Sequence, residues 1–219
     1  MNRRLLRTTY HAEVEEVNFT HGLPAWMTQT LTGSSSAATR DYTDAYGSHY
    51  AMIARGNTGD GVTLSGSSLS MSVAKVVELV AVGVTVNGPA EFSLGFVSPG
   101  DNPAGIQLEA VPVDAGVSPA GRVRLVMRDG SMEGEQTLFA EGNDGQIGDG
   151  GTVIDDVDLG VIVNVETKSA KAHLGYSYVS CGPQGFPTGQ VLAPAIRTRL
   201  VADGEASTRV RRVTIGIYS

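Results

Sequence analysis

The segment Val76-Val-Glu-Leu-Val-Ala-Val-Gly-Val-Thr-Val86, closed by Asn87-Gly88-Pro89, decides the fold. Six of its eleven residues are valine, whose branched Cβ is stiff at χ1 and packs well on a pleated surface. In an extended chain side chains alternate between faces. Val80, Val82, Val84 and Val86 therefore fall on one face, and Val77, Leu79 and Ala81 on the other. Two apolar faces predict a strand at the centre of a packed sheet. The run is interrupted by Glu78 and is far shorter than the ~20 apolar residues of a membrane span.

The same signature repeats on both sides. Strands are predicted over Glu13–Phe19, Trp26–Leu31, His49–Ala54, Glu91–Val97, Ile106–Val111, Arg122–Met127, Val153–Val165, Ala172–Val179, Val191–Leu200 and Thr208–Tyr218. Clusters of Gly, Asp, Asn, Ser and Pro separate them, as in Gly56-Asn-Thr-Gly-Asp-Gly61. The 28 glycines show no three-residue period and suit a fold with many tight turns. Asp155–Glu166 has the length of a helix, but Val161, Ile162, Val163 and Val165 make it a strand. No βαβ alternation and no 40–50-residue repeat is present, which points to two packed antiparallel sheets. At 219 residues with 41% hydrophobic and 18% charged residues, the chain can bury a core without disulfides. Residues 1–12 read as an N-terminal arm and 13–219 as one sandwich domain.

The formal net charge of −7 disfavours nucleic acid as a partner. Lys75, Lys168 and Lys171 are the only lysines. The arginines gather at the chain ends, with Arg3, Arg4 and Arg7 at the start and Arg197, Arg199, Arg209, Arg211 and Arg212 on the last strands. If the first and last strands are neighbours, these eight would form one basic docking face for acidic protein surfaces. The competing reading is ordinary edge-strand charge that discourages sheet-to-sheet association. Cys181 stands alone and reads as a small buried hydrophobe. The N-terminal residues include no apolar secretory core.

Val17-Asn-Phe-Thr-His-Gly-Leu-Pro-Ala-Trp26 leads through a small-residue loop to Gly47-Ser-His-Tyr-Ala-Met-Ile-Ala-Arg-Gly56 and Gly61-Val-Thr-Leu-Ser-Gly66. Late in the chain, Val163–Val179 gives way to Val210-Arg-Arg-Val-Thr-Ile-Gly-Ile-Tyr218. This whole-length pattern resembles the concanavalin A-like lectin/glucanase superfamily, and its opening resembles variants in phage and archaeal-virus structural proteins. The resemblance implies an all-β, two-sheet antiparallel jelly-roll sandwich with its first and last strands close together in one sheet. It also implies a virion-surface protein such as a capsid decoration, turret or tail component.

Glucanases of that superfamily carry carboxylates on one strand face as Glu-x-Asp-x-Glu or Glu-x-Asp-x-x-Glu, because glycoside cleavage needs two carboxyl groups flanking one bond. Glu13, Glu15 and Glu16 lack the central Asp, while Asp155, Asp156 and Asp158 have no Glu to complete them and read as a solvated strand edge or loop. The chain is therefore read as non-enzymatic. The acidic, Gly-rich stretch at Glu141–Gly151 offers Glu141, Asn143, Asp144 and Asp149 as oxygen ligands, and Ca²⁺ is the ion such a loop would take. A flexible acidic turn is the plainer reading. Asp101 and Asn102 match in residue type the Asp and Asn of legume-type sugar sites. Tyr42 and Tyr46 are candidate glycan contacts, whereas Trp26 and Tyr50 read as core. His11, His21, His49 and His173 show no zinc spacing. The expectation is a homo-oligomer that partners other virion proteins without nucleic acid or membrane insertion. The alternative is an extracellular lectin or adhesin for cell-surface glycans.

Overall fold

A computed structural model of the chain describes residues 12–19, 22–40, 48–70, 75–99, 104–111, 122–130, 132–138, 146–148 and 151–218. The strands in chain order begin with β1 (Ala12–Asn18), β2 (Thr28–Leu31), β3 (Ser36–Arg40), β4 (His49–Gly56), β5 (Gly61–Ser65) and β6 (Leu69–Ser70). Next come β7 (Val76–Asn87), β8 (Ala90–Val97), β9 (Gly105–Val111), β10 (Arg122–Asp129), β11 (Met132–Leu138) and β12 (Gln146–Gly148). The last are β13 (Gly151–Asn164), β14 (Ser169–Leu174), β15 (Ser177–Cys181), β16 (Val191–Leu200), β17 (Gly204–Val210) and β18 (Arg212–Tyr218).

Two antiparallel sheets result. One runs β15-β14-β13-β7-β17-β4-β3, with β18 between β7 and β1, and β12 on β13. The other runs β11-β10-β9-β8-β16-β5-β2, with β6 on β16. This is the predicted two-sheet jelly roll, and the first and last described strands do pair, Ala12 opposite Tyr218 through Asn18 opposite Arg212. Phe92, Leu94 and Phe96 of β8, Leu108 of β9 and Leu125 of β10 face Leu79 of β7, Met52 of β4 and Ile154 of β13, all at most 1% exposed. Each such side chain contributes about 1.5–3 kcal/mol by leaving water. The hydroxyl of Thr198 in β16 donates to that of Thr208 in β17 at 2.6 Å, a fully buried bond between the sheets.

The segment that decides the fold departs from strict alternation at one residue. Gly83 has φ +62°, and a Cβ there would lie 2.6 Å from Cζ of Arg211. This left-handed step shifts the parity of β7. Val84 and Val86 therefore join Val77, Leu79 and Ala81 on the buried face, while Val80 and Val82 stay half-buried on the other. The neighbours bend at the same level. β13 shifts register between Ile154 and Leu159, with Asp156 at φ +53°, and Arg211 separates β17 from β18. A crease thus crosses the sheet, and Thr208–Tyr218 forms two strands where one was expected. Likewise Ala172–Val179 belongs to a hairpin, because Gly175 (φ +55°) turns β14 back into β15.

Candidate functional site

The outward face of the β11-to-β2 sheet carries the densest set of buried polar groups. In β8, Phe92, Leu94 and Phe96 take the inward positions, which leaves Glu91, Ser93 and Gly95 outward. In β9, Ile106, Leu108 and Ala110 point in, and Gly105, Gln107 and Glu109 point out. Both faces of β9 are buried along its whole length. Period-two alternation continues into β10, where Arg124 and Arg128 stand beside Glu109.

Cross-strand register aligns these residues into ladders. Arg124 pairs with Glu109, Glu109 with Ser93, Ser93 with Arg197, Arg197 with Thr63, and Thr63 with Thr30, one polar row across six strands. A parallel row runs Gln107, Gly95, Ala195, Ser65 and Thr28. On the other side Glu91 lies opposite Arg199. The middle of the face is floored by short side chains, with the long charged ones on β8, β9, β10 and β16.

Glu109 is the anchor. Its side chain is 5% exposed, and Arg124 donates to Oε2 from Nε at 3.0 Å and approaches it through Nη2, also at 3.0 Å. Arg128 donates to Oε1 through Nη1 and to Oε2 through Nη2 at 3.2 Å. Two guanidinium forks therefore hold one carboxylate on both oxygens, the strongest class of side-chain hydrogen bond. Burial pushes the Glu91 carboxyl above its ordinary value. The charge of Glu109 adds to that shift, and Arg199, Arg128 and Arg124 oppose it. Burial likewise lowers the Arg197 guanidinium, against the pull of Glu91.

Against the Glu-x-Asp-x-Glu spacing, β9 presents Gly105, Gln107 and Glu109 at the three outward positions. Only the last is a carboxylate, and it is engaged by two arginines. Glu91 is the second carboxylate of the face, and it sits on a neighbouring strand.

The opposite outward face, on the sheet containing β7, holds the crease. Arg211 pairs with Asp156, whose backbone N–H donates to Thr85 Oγ1 at 3.2 Å, and Asp158 accepts from the Gly83 N–H at 3.0 Å. Asp155, Asp156, Arg209, Arg211 and the buried His49 line a pocket of about 120 Å³ there. The three aspartates thus lie within the bulged interior of a strand, where two of them fasten the crease. Further along, the His173 ring covers Gly160, where a Cβ would lie 2.7 Å from Cδ2, and it meets Tyr178 with centroids 6.0 Å apart. Burial lowers the His173 pKa, opposed by Asp158 and Glu78.

The five described arginines of the expected basic face are consequently divided. Arg197 and Arg199 belong to the polar ladders, while Arg209, Arg211 and Arg212 lie on the other sheet, Arg212 reaching Glu16 at 3.4 Å. Adjacent chain ends do not bring them together, because β16 and β17–β18 belong to different sheets. Arg3, Arg4, Arg7, Tyr42, Tyr46, Asp101, Asn102, Glu141, Asn143, Asp144 and Asp149 lie outside the described residues. Tyr50 is core, its hydroxyl donating to Gln29 at 2.6 Å, and Cys181 is buried with its thiol on the Leu125 carbonyl. Trp26 is half-buried, packs against the core and donates Nε1 to Glu15 at 2.5 Å. Reading by motif missed Glu91, Gln107, Glu109, Arg124 and Arg128. The signal was present as charge alternating with apolar residues in Ile106-Gln-Leu-Glu-Ala110 and Arg122-Val-Arg-Leu-Val-Met-Arg128.

No protein-family model and no curated protein sequence matches the chain. Solved structures do match in fold. The Emp47p carbohydrate recognition domain aligns with a TM-score of 0.59 at 11% identity, over 93% of each chain. A Bacillus licheniformis beta-glucanase aligns with a TM-score of 0.59 at 8% identity, over 94% of this chain and 97% of its own. The CBM2 module of the evolved Dit of Lactobacillus casei BL23 phage J-1 aligns with a TM-score of 0.57 at 11% identity, over 95% and 97%. Lectin-like and hydrolase domains thus share this concanavalin A-like jelly-roll sandwich with the chain.

Proposed function

We propose that this protein is a non-enzymatic glycan-binding module that uses the outward face of the β11-to-β2 sheet. The observation that carries the reading is the locked Glu109–Arg124–Arg128 cluster, ranged beside Gln107, Ser93 and the short floor of Gly95, Ala195 and Ser65. Planar groups fixed by ion pairs can exchange paired hydrogen bonds with sugar hydroxyls. Because they are already ordered, binding costs little side-chain entropy. The carbohydrate recognition domain among the fold neighbours is consistent with this reading.

The same face favours binding over cleavage. A nucleophilic carboxylate needs a free oxygen, and both oxygens of Glu109 accept from arginine. A second reading, glycoside hydrolysis, is favoured by one observation. Glu91 is shifted toward its acid form on the same face as the arginine-paired Glu109, and divergent carboxyl environments are how acid and base roles are divided. One experiment separates the two. The protein is incubated with immobilised and soluble polysaccharides, and retention and new reducing ends are measured together. Retention without new ends is expected, with loss of retention in Gln107→Ala. New reducing ends that vanish in Glu91→Gln would install the hydrolase reading instead.

We further propose that the module is displayed on a virion surface, partnered by copies of itself and by other virion proteins. The likeness of fold to the phage J-1 Dit module and the resemblance of the opening strand support that placement. Mass measurement in solution tests the self-association. A stable closed oligomer is expected, and a monomer at micromolar concentration counts against it.

A further inference from the structure

We infer that the other sheet carries a second ligand site, on its outward face at the β14–β15 hairpin, and that it takes a single hydroxylated sugar ring. The site shares no residue with the β11-to-β2 face and stands independently of the reading of that face. Antiparallel register sets six positions side by side in two rows. Gly160 of β13 lies opposite His173 of β14, which lies opposite Tyr178 of β15, and Ile162, Lys171 and Ser180 form the next row. All six are outward, because the residues that alternate with them, Val161, Val163, Ala170, Ala172 and Leu174, are buried in the core. Ile162, Lys171, His173, Tyr178 and Ser180 together line one cavity of about 280 Å³.

Each row contributes a different surface. Gly160 has no Cβ, which gives the His173 ring its place over β13, and Tyr178 meets that ring with centroids 6.0 Å apart and planes tilted by 43°. Burial favours the neutral imidazole, against Asp158 and Glu78, so this row is a wall of two uncharged rings. In the second row Ile162 is half-buried, with exposed Lys171 and Ser180 beyond it. Lys171 enters none of the ion pairs among the described residues. The two exposed large aromatic side chains among the described residues, Tyr176 at 94% and Tyr178 at 56%, both belong to this hairpin.

That combination selects the ligand. The electron-rich face of an aromatic ring attracts polarised C–H bonds, and a pyranose offers such bonds on its ring faces with hydroxyl groups around its edge. The cavity is smaller than the pockets that hold drug-sized molecules, and its size suits one ring. Ring against Tyr178 and Ile162, hydroxyls toward the Lys171 ammonium and the Ser180 hydroxyl, is the pose that leaves each group a partner of its own kind. An apolar side chain from another protein would cover the same polar groups without replacing their water, at the full desolvation cost of each.

The test titrates the full chain, isotopically labelled, with methyl β-glucoside, methyl β-galactoside and methyl α-mannoside, and with p-cresol as a mimic of a phenolic side chain. The Ile162 methyl signal reports this cavity, and the Ala195 methyl reports the face of the other sheet. A saturable Ile162 shift with at least one glycoside is expected, at a Kd on the order of 1–10 mM. Tyr178→Ala should weaken that binding about tenfold, whereas Tyr178→Phe, which keeps the ring, should leave it nearly unchanged. Should Tyr178→Ala unfold, Tyr178→Leu retains apolar bulk without an aromatic face and should show the same loss. Glycoside shifts confined to Ala195 would overturn this site and leave the reading of the other face standing. An Ile162 signal that no glycoside moves, or a shift undiminished in the ring-deleted variant, also overturns it. Binding of p-cresol about tenfold tighter than every glycoside overturns it in favour of a docked protein side chain.

Discussion

Replacing Gly83 by alanine tests the crease directly. At φ +62° an L-residue pays about 1–2 kcal/mol for the left-handed conformation. The new Cβ must also displace the Arg211 guanidinium, which lies 2.6 Å away at Cζ, and such overpacking costs about 1–2 kcal/mol more. The Arg211–Asp156 pair is about one-third exposed, so its loss adds only a few tenths. The expected destabilisation is about 2–4 kcal/mol. Gly189 supplies the control, because at φ +75° a Cβ added there would meet nothing within 4 Å, and Gly189→Ala should cost only the conformational part, about 1–2 kcal/mol. Urea unfolding of Gly83→Ala, Gly189→Ala, Arg211→Ala and the Gly83→Ala/Arg211→Ala pair gives the cycle. With Arg211 shortened, Gly83→Ala should fall to the cost of Gly189→Ala. If the two glycine variants cost the same in the unaltered background, the steric account of the crease is wrong.

Other outcomes follow from individual contacts. Glu109→Gln removes the charge on which Arg124 and Arg128 converge in a mostly buried setting and should cost about 3–5 kcal/mol in chemical unfolding. Thr198→Val strands the Thr208 hydroxyl between the sheets and should cost about 1–3 kcal/mol, with part recovered when Thr208→Val is added. Glu91 has a raised folded pKa, so its contribution is fully present below the ordinary carboxyl range and is lost as pH rises through the raised value. Glu91→Gln should therefore stabilise the protein at pH 7 and do so no longer near pH 4. His173 has a depressed folded pKa, so stability is full above the ordinary histidine value and declines as pH falls from there toward the folded one. His173→Gln should remove that limb from thermal melts taken across about pH 7 to 5.

Strand existence was legible because valine runs and Gly–Pro punctuation are local signals, and Val76–Val86 is central as its two apolar faces imply. Its parity was not legible. Alternation assigns Val84 and Val86 to the face of Val80 and Val82, and only the backbone of Gly83, answered by Asp156 and Arg211 on neighbouring strands, reverses that. A glycine in a strand pattern signals a bulge, but which side gains depends on partners more than 70 residues away. The arginines teach the same lesson about topology. Proximity of β1 and β18 is readable from the resemblance, yet Arg197 and Arg209 fall on opposite faces of the sandwich because the chain changes sheets between them. The polar face was written in alternation, Gln107 and Glu109 against Ile106 and Leu108, and a search for contiguous motifs passes over it. A site spread over β8, β9, β10 and β16 has no sequence spacing to recognise.

One long strand governs how the chain reaches this state. β7 shares its ladders with β13 on one side and with both β17 and β18 on the other, and β1 has no described partner but β18. During synthesis β1 and one edge of β7 emerge early and stay unpaired until residues near 218 leave the ribosome. Closure over so great a sequence separation is entropically slow. Until then the nascent chain carries an open, valine-rich edge on β7, the condition under which strands pair with the wrong chain. Output in a cell should depend on the speed of translation and on holding chaperones more than on the stability of the finished sandwich.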